Sequence, residues 1–290
     1  MISDRDVERY RSDGFIVVPD LLGAAEIAAL QVVIDSLVAK SASVETHDDV
    51  YDLEPGHSRA TPRVRRIKTP HLVDRRFLDV VRSEQVVSVL LRLIGPNLRL
   101  HGSKLNIKAP QYGSPVEWHQ DWAFYPHTND DILAIGVMLD DMELINGPLL
   151  VAPGSHKGPV CDHHYDGRFC GAVDPGTITE EIRKAAPITG KAGTMSFHHV
   201  RLLHGSAQNT SNRRRQLLLY EVCAADAWPI MGGVSSLTDF DERMIAGSTT
   251  IEPRLTQVPV RMPYPPALRQ GSIYENQAVR AQRHFATSAP

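Results

Sequence analysis

Only three cysteines, Cys161, Cys170 and Cys223, occur in 290 residues. So sparse and odd a set cannot supply a disulfide framework, and it fits a reducing cytoplasm. No run of about 18 apolar residues is present, which leaves no candidate transmembrane helix. The chain opens Met-Ile-Ser-Asp-Arg-Asp, charged and of helix-capping type, unlike a signal peptide. Charge of one sign is lacking too. Lys plus Arg number 31 against 34 Asp plus Glu, a formal net charge of −3, so neither nucleic acid nor an anionic membrane is expected as a partner. The run Arg213-Arg214-Arg215 is too short to change that. There is no internal repeat and no low-complexity tract. What remains is ordinary for a globular chain with a sizeable core: 42% hydrophobic and 22% charged residues. The length suits one β-sandwich or barrel with flanking helices, so a single domain over 1–290 is expected.

Helical signals come first along the chain and strand signals second. Ser3-Asp4-Arg5-Asp6 reads as a helix start that Gly14 ends, with a strand from Phe15 to Pro19. Ala24 to Lys40 carries Ile27, Leu30, Ile34, Leu37 and Val38 on one helical stripe. Ser41 to Pro62 is polar and aperiodic and reads as a mobile loop. Ser83 caps a helix over Glu84 to Ile94, stopped by Gly95-Pro96. From Leu98 the pattern turns to strands: Leu98 to Lys108, Leu133 to Leu139, and Leu149 to Val151 after an Asn146-Gly147 hairpin signal. Residues 1–97 therefore read as mainly helical support, 98–223 as the β core, and 224–290 as a proline-rich irregular wrap. The class is α+β, with the sheet closing as a barrel-like sandwich.

His119-Gln120-Asp121 and the later His204-Gly205-Ser206 carry the chemistry. Two imidazoles and a carboxylate form the set that holds iron(II) on one face and leaves the other positions open. If the chain is extended there, i, i+2 spacing points His119 and Asp121 to the same side. His204 must come from another strand; His198 and His199 are alternatives on spacing alone, which the His-Gly-Ser context and the arginine eleven residues on set aside. Gly193 to Phe197 reads as a strand, Val200 to His204 as its continuation, Gln208 to Arg214 as a turn, and Gln216 to Val222 as a buried strand. Alternation puts Arg213, Arg215, Leu217 and Leu219 on one face. An arginine entering that apolar face needs an anionic partner, and the carboxylate of a bound small molecule would serve.

With Asn146-Gly147-Pro148-Leu149-Leu150-Val151-Ala152-Pro153-Gly154-Ser155-His156 added to these motifs, the chain resembles the phytanoyl-CoA dioxygenase family from about Asp13-Gly14-Phe15 to Tyr220. The resemblance implies an iron(II)- and 2-oxoglutarate-dependent oxygenase on a double-stranded β-helix, a jelly-roll or cupin-like barrel. By that resemblance, His119, Asp121 and His204 are the iron ligands, and Arg215 with Ser206 holds the distal carboxylate of 2-oxoglutarate. A basic residue of the Arg65-Arg66-Ile67 segment, Arg66 with Arg63, Arg65 and Lys68 as alternatives, holds its other end. O2 is the second cosubstrate. One departure is Gly136-Val137, where well-known members carry a tryptophan. The implied reaction is oxidation of an unactivated C–H bond of a small metabolite or natural product, by default hydroxylation, with succinate and CO2 as coproducts. An acyl-CoA substrate is the runner-up. A non-catalytic cupin-like sensor and a zinc hydrolase are the rivals from other classes, and retention of Asp121 speaks against a halogenase.

Around the motif, alternation places Trp118 opposite His119, in the core. Trp122 and Phe124 are expected to wall a substrate pocket, with Asn106 and Lys108 from the strand 98–108; Lys104 shares their face. Cys161-Asp162-His163-His164 with Cys170 lacks the paired spacing of a zinc knuckle. Asp162 to Ala186 is long and contains Gly167, Gly171 and Gly176, and reads as a mobile lid.

Overall fold

A capping box opens the chain. Ser3 and Asp6 bond each other's backbone N–H groups at the start of α1 (Asp4–Asp13), and Gly14 ends it at φ +84°, a conformation that favours glycine. The computed structural model describes residues 2–111, 113–232, 234–267 and 272–285. The remaining helices are α2 (Ala24–Lys40), α3 (Pro70–Val73), α4 (Arg75–Val81), α5 (Glu84–Leu93), α6 (Thr179–Arg183), α7 (Leu237–Glu242) and α8 (Ile273–Gln277). The strands are β1 (Phe15–Val18), β2 (Tyr51–Leu53), β3 (Val64–Lys68), β4 (Leu98–Lys108), β5 (Val116–His119), β6 (Ile132–Met138), β7 (Leu149–Val151), β8 (His164–Tyr165), β9 (Arg168–Phe169), β10 (Ala186–Ile188), β11 (Met195–His199), β12 (His204–Ser206), β13 (Arg215–Ala224) and β14 (Met244–Ala246).

Twelve of these strands form two sheets, a double-stranded β-helix of the cupin-like jelly-roll kind, and β8 and β9 pair with each other as a separate hairpin. The larger runs β1-β11-β6-β13-β4-β3-β2, with β14 also on β4, and the smaller runs β10-β7-β12-β5. Helices α2, α4 and α5 pack on the outer face of the larger sheet. Leu30 and Ile34 of α2, Phe77 of α4 and Leu90 of α5 share a cluster with Leu105, Val137, Phe197, Leu218 and Tyr220. Odd-numbered residues of β13 turn the other way: Leu217 and Leu219 join Phe15, Met138, Val151 and Leu202 between the sheets. Every residue of β13 is buried because both of its faces are covered.

Four expectations are corrected. Ser41 to Pro62 is not a free loop: β2 lies within it and pairs with β3 at the sheet edge, through Asp52 opposite Arg66. Polar residues hide that strand because its partners are ionic, Asp52 sitting 3.0 Å from Lys68. The first 97 residues thus give helices and three strands of the larger sheet. Asn146-Gly147 is no hairpin; it ends a short 3-10 turn, and β6 and β7 belong to different sheets. Val200 to His204 does not prolong β11 either. The chain turns at Val200–Arg201 and crosses to the smaller sheet.

The supposed lid, Asp162 to Ala186, is built in. Val173 N–H donates to Trp118 O at 2.8 Å, and Gln120 N–H to His163 Nε2 at 2.8 Å. Val173 and Ile178 pack with Trp118 and Leu203 on the outer face of the smaller sheet, away from the cavity between the sheets.

Candidate active site

His119 ends β5 and stands opposite His204 in the register of β12. Asp121 follows on the first residue of a 3-10 turn, Asp121–Ala123, rather than on an extended strand, so curvature and not pleating brings it round. The carboxylate Oδ1 lies 3.7 Å from His119 Nε2 and 3.9 Å from His204 Nε2. Ligand atoms of all three lie within 4.8 Å of one another, the one such cluster among the described residues.

The rings are aimed by their other nitrogens. His119 Nδ1 is 2.8 Å from Glu117 O, and His204 Nδ1 is 2.9 Å from Leu202 O. A carbonyl only accepts, so each Nδ1 carries the proton and each Nε2 offers a lone pair to the shared point. Burial holds both imidazoles neutral, driving the pKa of His119 well below its ordinary value and lowering that of His204. Burial opposes ionisation of Asp121, but its pKa is lowered all the same, the Lys104 cation being the largest favourable influence. Two neutral nitrogens and one carboxylate are what a divalent first-row metal requires.

His198 lines the same cavity, its ring 5.0 Å from that of His204, yet it is not one of the converging three. His199 faces away toward Asp130, at 3.9 Å.

Beside the triad, the cavity is lined by Arg66, Lys104, Asn106, Lys108, Ser206 and Arg215. Arg215 and Lys108 are register partners on β13 and β4, only 2% and 1% exposed. Burial lowers the pKa of Arg215 to about 10; burial, then Arg215 itself, pushes that of Lys108 well below its ordinary value. Lys108 Nζ donates to Ser206 Oγ at 2.9 Å. Arg215 Nη2 donates to Gly147 O, while its Nε is buried without a partner among the described residues. Two adjacent buried cations with an orphaned donor fit an incoming carboxylate. Lys108 lines the cavity, as the sequence suggested, and stands there beside Arg215 and Ser206. Arg213, by contrast, is exposed and paired with Glu143 at 2.6 Å. Arg66 donates to Asn106 Oδ1 at 3.0 Å farther along the same sheet, while Arg65 is engaged elsewhere.

Trp122 does not wall the pocket. The 3-10 turn swings it into a separate cluster with Ile132, Val160 and Cys223, where its Nε1 donates to Pro259 O at 2.9 Å. Phe124 does stay near the site, edge-on to His119 at 5.8 Å. Trp118 is core, stacked on Phe285. Where a tryptophan was missing, Gly136 leaves room filled by Ser196 Oγ and Leu217, 2.7 and 3.3 Å from where a Cβ would stand. A pair not expected from the sequence is Lys104–Glu221, at 2.9 Å, with Lys104 Nζ also 4.0 Å from Asp121. Glu221 shares the parity of Arg215, Leu217 and Leu219, and that signal could have found it.

A jelly roll with this triad and this cationic wall is a non-haem iron, 2-oxoglutarate-dependent dioxygenase. Comparison with known proteins agrees. The sequence matches phytanoyl-CoA dioxygenase over residues 10–217, and the chain belongs to that family. It is 38% identical over 280 residues to a probable alpha-ketoglutarate-dependent hypophosphite dioxygenase of Stutzerimonas stutzeri, covering 95% of this chain and 97% of that one. It is 30% identical to an L-proline trans-4-hydroxylase of Streptomyces griseoviridis, over 73% of this chain and 82% of the other. Among solved structures, EctD from S. alaskensis with 2-oxoglutarate and 5-hydroxyectoine superposes with a TM-score of 0.69 at 26% identity, covering 90% of this chain and 88% of that one. No described helix is long and apolar enough to cross a membrane.

Proposed function

We propose that His119, Asp121 and His204 hold the iron(II) of this dioxygenase, and that Arg215, Lys108 and Ser206 bind the distal carboxylate of 2-oxoglutarate. The observation that carries this reading is the side-by-side placement of two buried cations and three converging metal donors in one cavity. Arg66 with Asn106, on the same sheet, serves the other end of the cosubstrate. Lys104, held by Glu221, faces the remaining space as a substrate-orienting cation. The whole chain acts as one oxygenase domain in the cytoplasm.

The reaction is hydroxylation of a small polar metabolite. One oxygen atom of O2 enters the substrate C–H bond and the other enters succinate, as 2-oxoglutarate loses CO2. Bound iron supplies the activation of O2; the chain's own residues orient the two organic molecules and exclude water. A cavity lined by Arg66, Lys104, Asn106, Lys108 and Arg215 suits a small polar molecule beside 2-oxoglutarate better than the acyl chain of an acyl-CoA.

The cationic lining favours a second reading, a small phosphorus oxyanion oxidised at P–H, in keeping with the name of the relative from Stutzerimonas stutzeri. Both are tested together. Purified protein with iron(II), ascorbate and 2-oxoglutarate is offered hypophosphite, ectoine and L-proline. Phosphite is followed by phosphorus NMR, and one-oxygen mass gain and succinate by mass spectrometry. Gain of oxygen by an organic acceptor supports the first reading and phosphite the second. A protein that forms no succinate with any of these or with a wider metabolite panel refutes both.

A further inference from the structure

The two sheets alone do not close the cavity. Ile273 and Tyr274 of α8 complete its wall beside Arg66 and Arg215. Tyr274 is buried, its ring centroid 4.6 Å from the guanidinium carbon of Arg65 and 5.3 Å from that of Arg66. Yet residues 272–285 contribute no strand to either sheet.

Side chains hold this segment, and their partners adjoin the catalytic machinery. Glu275 pairs with Arg65 at 2.5 Å, and the buried Glu54 binds the same guanidinium at 3.1 Å. Arg65 is the neighbour of Arg66 on β3. Gln277 accepts from Glu117 N–H at 2.9 Å and donates to Gly171 O at 2.7 Å. The Glu117 carboxylate in turn accepts the N–H groups of His284 and Phe285, at 2.9 and 3.3 Å. Phe285 stacks on Trp118 with centroids 6.1 Å apart. Glu117 and Trp118 are the two residues that precede His119.

We propose that residues 272–285 form a strap that completes the cosubstrate pocket, with Tyr274 covering bound 2-oxoglutarate between Arg66 and Arg215. This rests on the reading of Arg215 as the cosubstrate anchor. An aromatic ring over that end keeps water from the carboxylate–guanidinium pair, and such pairs strengthen as the local dielectric falls. The strap is held by side-chain contacts, polar ones and the Phe285–Trp118 stack, rather than by strand pairing, so it opens without breaking either sheet.

The test is calorimetric titration of 2-oxoglutarate into the full chain loaded with Mn(II), paired with hydrogen exchange of 272–285. Tyr274→Ala weakens 2-oxoglutarate binding about tenfold and leaves Mn(II) binding unchanged, while Tyr274→Phe stays within about twofold of the parent. Glu275→Gln, which loosens the latch without touching the pocket, speeds exchange of the strap and weakens 2-oxoglutarate in the same direction. Cosubstrate slows exchange of 272–285 in the parent. If Arg215→Leu is impaired while Tyr274→Ala binds normally, or if cosubstrate leaves strap exchange untouched, the strap proposal fails. If Arg215→Leu binds 2-oxoglutarate like the parent, the anchor reading beneath it fails instead.

Discussion

Arg215 and Lys108 face each other across adjacent strands, two buried cations whose nearest hydrogen-bond partners are carbonyls and one serine hydroxyl. In an empty cavity this arrangement is unfavourable, since each guanidinium or ammonium has left water without meeting an anion. Arg215→Leu should therefore weaken 2-oxoglutarate by roughly two to four decades, the equivalent of about 3–5 kcal/mol for an orphaned buried charge. Metal binding should persist. Arg213→Leu, at an exposed ion pair, should bind normally. The visible charge-transfer band of the anaerobic iron complex reports both titrations.

His204→Ala should lose metal, because the two remaining donors of the triad bind poorly alone. His198→Ala should keep it, since His198 neighbours the triad without converging on it. Equilibrium dialysis with Co(II) measures this. Retention by His204→Ala together with loss in His198→Ala would exchange the two roles.

Acid should destabilise the fold early. Burial lowers the pKa of His127 to about 3 and that of His163 to about 4. In the unfolded chain both take up a proton near 6.5. Between about pH 6.5 and 4 the unfolded state thus binds more protons, and stability falls as pH falls. The slope reaches roughly 1.4 kcal/mol per pH unit for each histidine. Melting temperature followed from pH 7 to 4.5 should drop steeply, and less so in His127→Phe. A flat profile would mean that these histidines are charged in the fold.

Trp122→Ala should cost about 3–5 kcal/mol of stability by leaving a cavity. Trp122→Phe, which keeps most of the volume, should leave the substrate KM unchanged. A shifted KM at full stability would put this side chain back in the pocket.

Hydrogen exchange should find the Val173 amide protected with and without substrate, because it donates into β5. Strong exchange in the free protein, suppressed by substrate, would restore the lid.

The parts of this molecule that sequence made legible are those where one periodicity runs long enough. The α2 stripe and the eleven residues of β4 emerge with their observed bounds. Alternation put Arg213 and Arg215 on one face; what parts them is that β13 begins at Arg215, leaving Arg213 in the exposed bend before it. The pocket-wall expectation for Trp122 ran against that alternation, which gives it the parity of Trp118; β5 stops at His119, and the 3-10 turn that follows carries Trp122 into a separate cluster. β2 escaped because its pairing is ionic and short, and Asn146-Gly147 misled because left-handed glycine ends a helical turn as readily as it closes a hairpin. Tyr274 lies far down a segment with no pattern of its own, and only its tertiary partners reveal where it goes.

On the proposed reading all three metal donors belong to β5, the turn that continues it, and β12, whereas Arg66, Asn106, Lys108 and Arg215 belong to the other sheet and Ser206 alone of the cosubstrate contacts lies on β12. The proposed inorganic half of the centre is thus carried by one slab and most of the proposed organic half by the other, like two jaws of a vice. His119 and His204 keep their mutual register through hydrogen bonds inside one slab, so that jaw can load its ion by itself. The other jaw decides only what is presented to it. Changes of acceptor molecule can accordingly accumulate on one slab and the strap while the ion-holding slab stays as it is.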